Sequence, residues 1–459
     1  MKSLPTALVG SLLALIVISC GGDNHPSAPA PSISPSIASQ PASQTVHSGG
    51  TASFSIAVNG NPTPNIVWQR SNDKGATWIA IDGATSTTYN FTVQPADTGA
   101  RFRALATNSQ GSILSTAATL IEVPAVYAGG RIDVTNPDSG YWLNGTWVPL
   151  PSPAGTTAQV NALSVSGNKV FAAGNIDSAS AGVSQFPTGY WLGGNWVDLA
   201  LPSGSPWGIV NSLVVSGNDL YLAGELFPNY SPGYWLNGTW NGLPVPLGSD
   251  YAWVLSLVVS GADVYAAGYS VGNGDVLPGY WFDGTWTGLP LPAGSIGGIV
   301  ESIVVSGSDV YAAGFTSSQT AAYAGSPGYW LNGSWVGLAL PTGQTAGAVT
   351  SLVVSGSDVY AAGFCENGSV IIPGYWLNGA WVGLRIPFGF DGGQVLSLVL
   401  SGGKVYAGGV SGIMNDPRFN TVSFSSTIPG YWVDGVWVGL PIPSPGTGFS
   451  YVNSLAVIP

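Results

Sequence analysis

From Val126 to the end of the chain, short apolar runs alternate with breaks rich in Gly, Asn and Asp, and this pattern repeats. Two of the runs, Ser-Leu-Val-Val-Ser and Val-Tyr-Ala-Ala-Gly, are almost continuously apolar or small, which is typical of strands buried on both faces. Two-residue breaks such as Gly217-Asn218 separate them, and that length favours a tight hairpin. The pattern therefore predicts antiparallel strands.

A second hairpin follows in every repeat, because the phrase Gly-Tyr-Trp is followed by another Trp five residues after the first. An Asn-Gly, Asp-Gly or Gly-Gly dipeptide lies between them and tolerates the positive φ of a type I′ turn. The pairs recur at intervals of 44 to 56 residues. They are Trp142/Trp147, Trp191/Trp196, Trp235/Trp240, Trp281/Trp286, Trp330/Trp335, Trp376/Trp381 and Trp432/Trp437. We expect each pair to pack across its hairpin; the alternative is a sugar-stacking platform.

The strand that carries the second Trp ends in Leu-Pro-x-Pro, as at residues 289–292, and proline cannot donate to a ladder. It is therefore expected at an outer edge. Four strands at this period are typical of propeller blades. The first unit lacks its inner strand, and residues 453–457 supply one at the chain end. We predict an all-β protein in which residues 125–459 form a seven-bladed β-propeller closed by the C-terminal strand.

The order of these phrases, Val-Tyr-x-x-Gly, then Tyr, then Trp followed by Leu-Pro, resembles kelch-type propellers. The kelch double glycine is present only at Gly129-Gly130 and Gly408-Gly409. The resemblance implies a fold and no activity, since the copper oxidases of that family need His ligands that the repeats lack. The repeats look like those of bacterial surface proteins without an assigned activity.

Residues 39–124 alternate short β-type runs with turn residues, as a β-sandwich does. The stretch from Asp97 to Gly111 resembles the Asp-x-Gly…Ala-Thr-Asn-x-x-Gly signature of I-set immunoglobulin domains. Trp68 stands where that family has its core Trp, and Phe54 and Ala104 lie near the positions of its two Cys. We therefore predict an immunoglobulin-like domain whose core is held by packing alone.

The segment Ser71–Trp78 fits the Asp-box pattern of sialidase propellers. It occurs once, inside the immunoglobulin-like segment, and the repeats carry no arginine cluster for a substrate carboxylate. We interpret it as a hairpin turn between two sandwich strands.

Residues 1–19 combine Lys2 with an apolar run that is short for a membrane span, which is typical of a signal peptide. The following Val17-Ile18-Ser19-Cys20-Gly21 resembles a bacterial lipobox and implies that Cys20 carries lipid. Residues 20–38 are rich in Pro, Ser and Ala and predict a tether. We expect a lipoprotein of the cell envelope, at the outer membrane or cell surface, held to the membrane through its lipid alone.

Composition removes several classes of function. With 10 Lys+Arg against 22 Asp+Glu the net charge is −12, the wrong sign for nucleic acid. Only two His and two Cys are present, so a disulfide framework, a His-dependent triad and an ordinary zinc site are excluded from the repeats. We expect no cofactor and no enzyme activity, and no residue is assigned to a metal; calcium bound by Asp and Asn loops stays an open alternative. Cys365, in a loop of variable length, is expected to be an idle thiol.

The loops that vary in length between repeats, and the connections that enter the inner strands, are expected on one face, and binding residues concentrate in such loops. Aromatic and acidic residues that break the repeat fall there. The candidate ligand-binding residues are Trp207, Glu225, Phe227, Tyr230, Tyr251, Trp253 and Glu301. The expected places are connections for Trp207, Tyr251 and Trp253, the intervening variable loop for Glu225, Phe227 and Tyr230, and the start of an inner strand for Glu301. Together they are expected to form one aromatic-acidic patch.

We therefore predict a non-enzymatic binding or adhesion protein of the cell envelope, with the immunoglobulin-like domain as a spacer. Its partner is expected to be a protein or a glycan. The alternatives are a carbohydrate-binding lectin and a glycosidase that uses two carboxylates.

The lipobox generates the first testable prediction. Replacing Cys20 with Ala removes the sulfur that would carry the lipid, so incorporation of a fatty-acid analogue into the protein should be lost. Metabolic labelling of the two proteins in a bacterial host measures this. Equal labelling of both would contradict the prediction.

Overall fold

A computed structural model describes residues 31–132, 139–152, 156–178, 187–318, 324–414, 424–442 and 449–459. The predicted signal peptide, residues 1–19, and the predicted lipidation site Cys20 lie outside these ranges. Within them the regular elements are β-strands apart from one 3₁₀ turn at Pro95–Asp97, so the chain is all-β. None of the described helices has the length and apolarity needed to cross a membrane.

The chain divides into two compact units. The first contains the described residues up to Gln44, Ala52–Phe91 and Gly99–Ile121. The second contains Thr45–Thr51, Thr92–Thr98 and Glu122–Pro459. The predicted boundary between residues 124 and 125 stays a prediction.

The N-terminal part of the chain has ten short strands. They are β1 (Ile33–Ser39), β2 (Gln44–His47), β3 (Thr51–Ser55), β4 (Ala57–Asn61), β5 (Asn65–Ser71), β6 (Ile79–Ala80), β7 (Thr88–Thr92), β8 (Arg101–Asn108), β9 (Gly111–Leu114) and β10 (Ala118–Val123). Strands β10, β8, β5 and β6 lie side by side, β9 pairs with β8, β1 pairs with β4, and β3 pairs with β7.

Strand β1 corrects the predicted extent of the tether. It starts at Ile33, inside the predicted tether 20–38, where Ile33 pairs with Asn61 of β4, and Ile37 pairs with Val58. The Pro- and Ser-rich composition predicted a linker, but pairing with a partner strand distant in sequence fixes these residues.

The core of the first unit is aromatic. Phe54 and Trp68 are fully buried, and Phe54 stacks on Phe102 with ring centroids 4.6 Å apart. Ala104 lies directly across the sheet from Trp68 and is also buried. The prediction that Trp68 is a core residue is confirmed, and Phe54 and Ala104, which lie near the positions of the I-set Cys residues, are both fully buried.

The Asp-box segment forms the turn between β5 and β6, which confirms its interpretation as a hairpin turn. Asp73 accepts hydrogen bonds from the Thr77 hydroxyl at 2.6 Å, the Thr77 N–H at 2.9 Å and the Ser71 hydroxyl at 2.7 Å. These bonds, those from Thr77 above all, hold the pKa of the Asp73 carboxyl far below its usual range.

The second unit contains seven four-stranded antiparallel sheets. The strands of the first three are β11 (Ala125–Arg131), β12 (Ser139–Leu143) and β13 (Thr146–Pro149); β14 (Thr156–Ser166), β15 (Lys169–Ser178), β16 (Gly189–Leu192) and β17 (Asn195–Asp198); and β18 (Trp207–Ser216), β19 (Asp219–Phe227), β20 (Ser231–Leu236) and β21 (Thr239–Gly242). The fourth and fifth have β22 (Tyr251–Ser260), β23 (Asp263–Gly272), β24 (Asp275–Phe282) and β25 (Thr285–Gly288); and β26 (Gly297–Ser306), β27 (Asp309–Ser317), β28 (Ser326–Leu331) and β29 (Ser334–Gly337).

The sixth and seventh sheets complete the series. Their strands are β30 (Ala346–Ser355), β31 (Asp358–Glu366), β32 (Ile371–Leu377) and β33 (Ala380–Gly383); and β34 (Gly392–Ser401), β35 (Lys404–Met414), β36 (Phe424–Val433) and β37 (Val436–Gly439). In these sheets the strands follow one another in chain order. The fourth strand of the first sheet is the C-terminal β38 (Tyr451–Ile458), which pairs with β11. The C-terminal strand thus lies in the first sheet beside β11, as the missing strand of the first unit was expected to do.

The tight hairpins form as predicted. Ser216 pairs directly with Asp219, which leaves a two-residue turn. In the second hairpin of that sheet, Asn237 and Gly238 have φ of 50° and 84°. Positive φ at both positions is the requirement of a type I′ turn.

The Trp pairs lie in register across these hairpins, with ring centroids 4.5 Å apart for Trp281 and Trp286. The first Trp of each pair is fully buried. The second covers the Gly of Gly-Tyr-Trp, since a Cβ on Gly279 would lie 2.3 Å from the Trp286 ring. The buried indole N–H also leaves its own sheet, as Trp281 Nε1 donates to the Pro244 carbonyl at 2.9 Å. The pairs are core residues, as expected, and they also join neighbouring sheets.

Every inner strand carries one extra residue. Val210 and Ser212 pair with the adjacent residues Gly224 and Ala223, so Asn211 between them is a β-bulge. The bulge residues of the seven sheets are Asn453, Asn161, Asn211, Leu255, Glu301, Thr350 and Leu396.

The bulge explains the glycine of Val-Tyr-Ala-Ala-Gly. A Cβ on Gly224 would lie 1.9 Å from the Ile209 carbonyl oxygen, and the other sheets give 1.9–2.1 Å at the same place. Only glycine fits so close an approach of two backbones.

The serine that follows the bulge connects one sheet to the next. Ser212 Oγ accepts the backbone N–H of Leu257 at 3.1 Å, and Ser256 Oγ accepts that of Ile303 at 3.1 Å. At the C-terminus, Ser397 Oγ accepts from Leu455 N at 3.0 Å.

Strand β38 has contacts with three sheets. It pairs with β11, its Leu455 N–H donates to the Ser397 hydroxyl of the seventh sheet, and its Ser454 hydroxyl accepts the N–H of Leu163 in the second sheet at 3.0 Å. Trp142 of the first sheet also donates to the Pro441 carbonyl after the seventh at 2.9 Å.

Removing residues 452–459 should therefore destabilise more than a frayed terminus would. It strips the inner strand from the first sheet and exposes an unpaired edge, so the melting temperature should fall by at least about 10 °C. Thermal unfolding and light scattering measure stability and aggregation. A peptide of residues 450–459 should restore part of the loss, whereas a scrambled peptide should not. A truncated chain that stays monomeric with an unchanged midpoint would refute this role of β38.

Candidate functional site

Five of the candidate residues come together as one aromatic cluster, formed by Trp207, Phe227, Tyr230, Tyr251 and Trp253. Trp207 begins β18 and pairs in register with Phe227, the last residue of β19. Their rings stack with centroids 3.7 Å apart and planes 4° from parallel.

Tyr230 connects the third sheet to the fourth. It lies in the turn after β19 with φ of 50°. Its ring centroid is 4.7 Å from that of Phe227, 5.2 Å from that of Tyr251 and 5.8 Å from that of Trp253. Tyr230 is 36% exposed, whereas Phe227 is buried beneath it. The cluster therefore offers partly exposed ring faces supported by a buried ring.

Strands β18, β19 and β22 are longer than the repeated sequence phrases predicted. Trp207, Tyr251 and Trp253 were expected in connections but belong to β18 and β22, and Phe227 belongs to β19. The repeats vary here in side chain while the backbone pairing continues, because a ladder needs no particular side chain. Four of the five rings are therefore held on paired strands, and Tyr230 stands in the turn between β19 and β20.

Tyr269 belongs to the cluster and was missed. It pairs in register with Trp253, and the two rings stack at 6.2 Å with planes 8° apart. The signal was present in the sequence, because Tyr269 directly follows Val-Tyr-Ala-Ala-Gly, on a strand expected to pair with the one before it.

Glu225 was expected in a variable loop, and this expectation is wrong. It lies in β19 and is fully buried. Asn211 Nδ2 is 3.2 Å from both of its carboxyl oxygens and also donates to the Val254 carbonyl at 2.9 Å. Burial raises the pKa of Glu225 to about 8, against the opposing hydrogen bonds from Asn211 and the Val254 backbone. The carboxyl is therefore held inside the protein by Asn211 and is not at the surface.

Glu301 has a different location from the other candidates. It is the bulge residue of β26, in the middle of that strand, and it lines a cavity of about 850 Å³ between the inner strands. Burial raises the pKa of its carboxyl to about 7. The cavity lining includes Asn211 but none of the aromatic cluster, so Asn211 lies between Glu225 and the cavity. The predicted single aromatic-acidic patch is thus two sites.

Cys365 is also placed differently. It lies in β31 and is fully buried, not in a variable loop, and burial raises the pKa of its thiol to about 12. Such a thiol is unreactive, as expected. Among the described residues, no group of three or more His, Cys, Asp and Glu side chains is arranged to hold a metal ion.

The comparisons with known proteins cover parts of the chain. A family model described as a domain of unknown function (DUF8696) matches residues 37–125. Endoglucanase C of Cellulomonas fimi is 30% identical over 166 residues, which cover 31% of this chain and 15% of that protein. The chain thus spans a small part of the length of this curated relative.

Solved structures that are similar contain immunoglobulin domains. Sidekick-1 immunoglobulin domains 1-5 are 24% identical, with 20% of each chain covered and a TM-score of 0.17. Titin M4 is 22% identical over 20% of this chain and 100% of that chain, with a TM-score of 0.18. This all-β chain therefore has immunoglobulin-like neighbours.

The burial of Glu225 generates a prediction about stability and pH. A folded-state pKa of about 8 against an ordinary 4.5 means that the native protein holds the proton more tightly than the unfolded chain. This stabilisation is complete below about pH 4.5 and is lost as the pH rises through 8. Glu225→Gln should therefore be more stable than the parent at pH 9, by a few kcal/mol at most, and similar to it at pH 4.5.

Melting temperatures between pH 4.5 and pH 9 measure this effect, with the exposed carboxylate variant Asp275→Asn as the control. The pKa of Glu301 is shifted in the same direction, so part of the slope should remain in Glu225→Gln. Parallel curves for the parent and Glu225→Gln would contradict the assignment.

Proposed function

We propose that the seven sheets are the blades of a kelch-like β-propeller closed by β38. Four-stranded sheets at this period support it, as do the bonds of β38 to the second and seventh sheets and that of Trp142 to the Pro441 carbonyl. In such an arrangement the inner strands surround the cavity and the Leu-Pro-x-Pro strands form the rim.

On that scaffold, the chain is proposed to be a non-enzymatic binding or adhesion protein of the cell surface. The single observation that carries this is the aromatic cluster, in which Trp207, Tyr230 and Trp253 present partly exposed rings from two adjacent sheets. Aromatic side chains on rigid strands lose little entropy on binding and dominate interface energetics. A partner with a flat apolar or sugar-like surface fits such rings.

The partner is proposed to be a cell-surface protein or a glycan. The partial similarity to a protein named Endoglucanase C favours the lectin alternative, in which a polysaccharide stacks on the cluster. The glycosidase alternative has weaker support, because Glu225 is fully buried against Asn211 while Glu301 lines a separate cavity. Retaining and inverting glycosidases need two carboxyls that flank one bond.

The proposed setting is the cell envelope. Lipid on Cys20 would hold the protein at the outer membrane or cell surface, and the immunoglobulin-like domain would act as a spacer. The basis is the lipobox-like sequence alone, and the labelling of Cys20→Ala tests it.

A binding experiment tests the function. Glycan arrays and affinity capture from the native cell surface identify the partner, and titration then compares variants. Trp207→Ala combined with Trp253→Ala should weaken binding by about 30-fold or more, as loss of two hot-spot rings does. Trp286→Ala should instead lower stability by about 3–5 kcal/mol, because it removes a packing partner of Trp281.

The two variants have opposite expected signatures, and each serves as the control for the other. Binding that depends on Trp286 at unchanged stability would place the site on the paired Trp residues and overturn the proposal. Hydrolysis of a polysaccharide that is lost in both Glu225→Gln and Glu301→Gln would favour the enzyme alternative.

A further inference from the structure

The bulge residues give the cavity a particular chemistry. All of them except Leu255 line it, so the cavity wall is set by the one position at which the inner strands leave regular pairing. A bulge re-aims the side chain of its extra residue. The wall also contains Gln159, Asn175, Gln394, Tyr451, Thr427 and three further apolar side chains, Ile371, Val410 and Phe449.

Hydrogen bonds between sheets fix the orientation of the bulge amides. Asn453 Nδ2 donates to the Val160 carbonyl at 2.8 Å, Asn161 Nδ2 to the Val210 carbonyl at 3.1 Å, and Asn211 Nδ2 to the Val254 carbonyl at 2.9 Å. A backbone carbonyl only accepts, so the NH₂ group must face the neighbouring sheet. The amide oxygen is then left on the other side of the group.

The same bond forms at Thr350, whose hydroxyl donates to the Val395 carbonyl at 2.7 Å. The NH₂ groups of these three Asn residues and the hydroxyl of Thr350 therefore each donate to a protein carbonyl. The oxygens Oδ1 of Asn211 and Asn453 accept no hydrogen bond from the described residues, and neither is sealed away from the cavity. They remain available as acceptors.

Glu301 occupies the equivalent position in β26 but cannot donate as a carboxylate. It has no hydrogen bond and no ion pair with any described residue, and its oxygens are not sealed off. Among the described residues that line the cavity there is no Lys, Arg or His. The cavity thus presents a carboxylate and amide oxygens without a positive charge to meet them.

We propose that this cavity binds a primary ammonium group, from a small alkyl amine or a lysine side chain, with Glu301 as its counter-ion. An ammonium has three donors and no acceptor, which matches a wall whose open polar groups are mostly acceptors. Ile371, Leu396 and Val410 provide an apolar wall for the attached alkyl chain. This site is separate from the aromatic cluster and does not rest on the function proposed for it.

The titration of Glu301 supports the proposal. Burial raises the pKa of its carboxyl to about 7, so the charged form is present in part at neutral pH. Of the lining residues that the structure describes, Glu301 and Tyr451 carry titratable groups, and Glu225 approaches from behind Asn211. Because the ammonium needs the carboxylate, affinity should fall about tenfold between pH 8 and pH 6.

Isothermal titration of the full chain with n-pentylammonium chloride at pH 8 tests the site, with 1-pentanol as the uncharged probe. Pentylammonium should bind at least tenfold more tightly than pentanol, and Glu301→Leu should reduce its affinity at least tenfold. Leucine occupies the same bulge position at Leu255 and Leu396, so this variant should fold. Glu366→Gln, which replaces a half-buried carboxylate outside the lining, is the matched control and should bind normally.

Several results would overturn the proposal. They are equal affinity for the two probes, unchanged pentylammonium binding in Glu301→Leu, or no binding of pentylammonium at all. Binding of calcium chloride or glucose that depends on Glu301, in place of pentylammonium, would assign the cavity to another ligand class. Since the probes need no natural partner, these results are independent of the test of the aromatic cluster.

Discussion

The close contact between a glycine and a bulged backbone is the constraint on which the second unit depends. In each inner strand one residue is added, and the partner strand approaches so closely that a Cβ opposite would lie within about 2 Å of a carbonyl oxygen. The bulge turns the added side chain out of the pleat and toward the neighbouring sheet. The hydrogen bonds made there by Asn161, Asn211 and Asn453 exist only because their strands are bulged.

Neighbouring sheets are therefore joined at two places by different chemistry. On the inner strands, six serine hydroxyls accept a backbone N–H of the next sheet, and four bulge side chains donate to a carbonyl there, those of Asn161, Asn211, Thr350 and Asn453. On the Trp hairpins, a buried indole donates to a carbonyl that follows the preceding sheet. Two attachments of this kind resist both sliding and rotation of one sheet on another. Side chains that lie between these two attachments, such as those of the aromatic cluster, can vary without changing how the sheets are joined.

Much of this architecture follows from the sequence, because period-2 patterning, Asn-Gly turns and register depend on neighbouring residues. The hairpins of the Trp pairs and the pairing of β38 are of that kind. Other features depend on contacts between strands that no local pattern records. The bulge at Asn211 leaves the repeated phrases unbroken, and the burial of Glu225 depends on Asn211 and on the backbone of another sheet. Strand β1 was missed for the same reason, since its partner β4 alone makes Ile33–Ser39 a strand.

The candidate site was also predicted only in part, for the same reason. The aromatic residues were found because they break a repeat, and a break is visible in one dimension. The separation of these rings from Glu301 was not visible, because Glu301 lines the cavity from the bulge of β26 and no repeated phrase records that bulge. Tyr269 was overlooked because it follows a repeated phrase without altering it.

One seam between sheets differs from the rest. The serine that joins each inner strand to the next sheet is replaced in β14 by Ala162, which has no hydroxyl to accept the N–H of Leu213. Asn161 still bonds across that seam to the Val210 carbonyl, and the buried Thr188 hydroxyl exchanges hydrogen bonds of 2.7 and 3.3 Å with the backbone of Gly208. The second and third sheets are therefore joined through Thr188, outside the inner strands, where other seams use a serine of the inner strand. Gly208 directly follows Trp207, so these two bonds also hold the start of the strand that carries the first ring of the aromatic cluster.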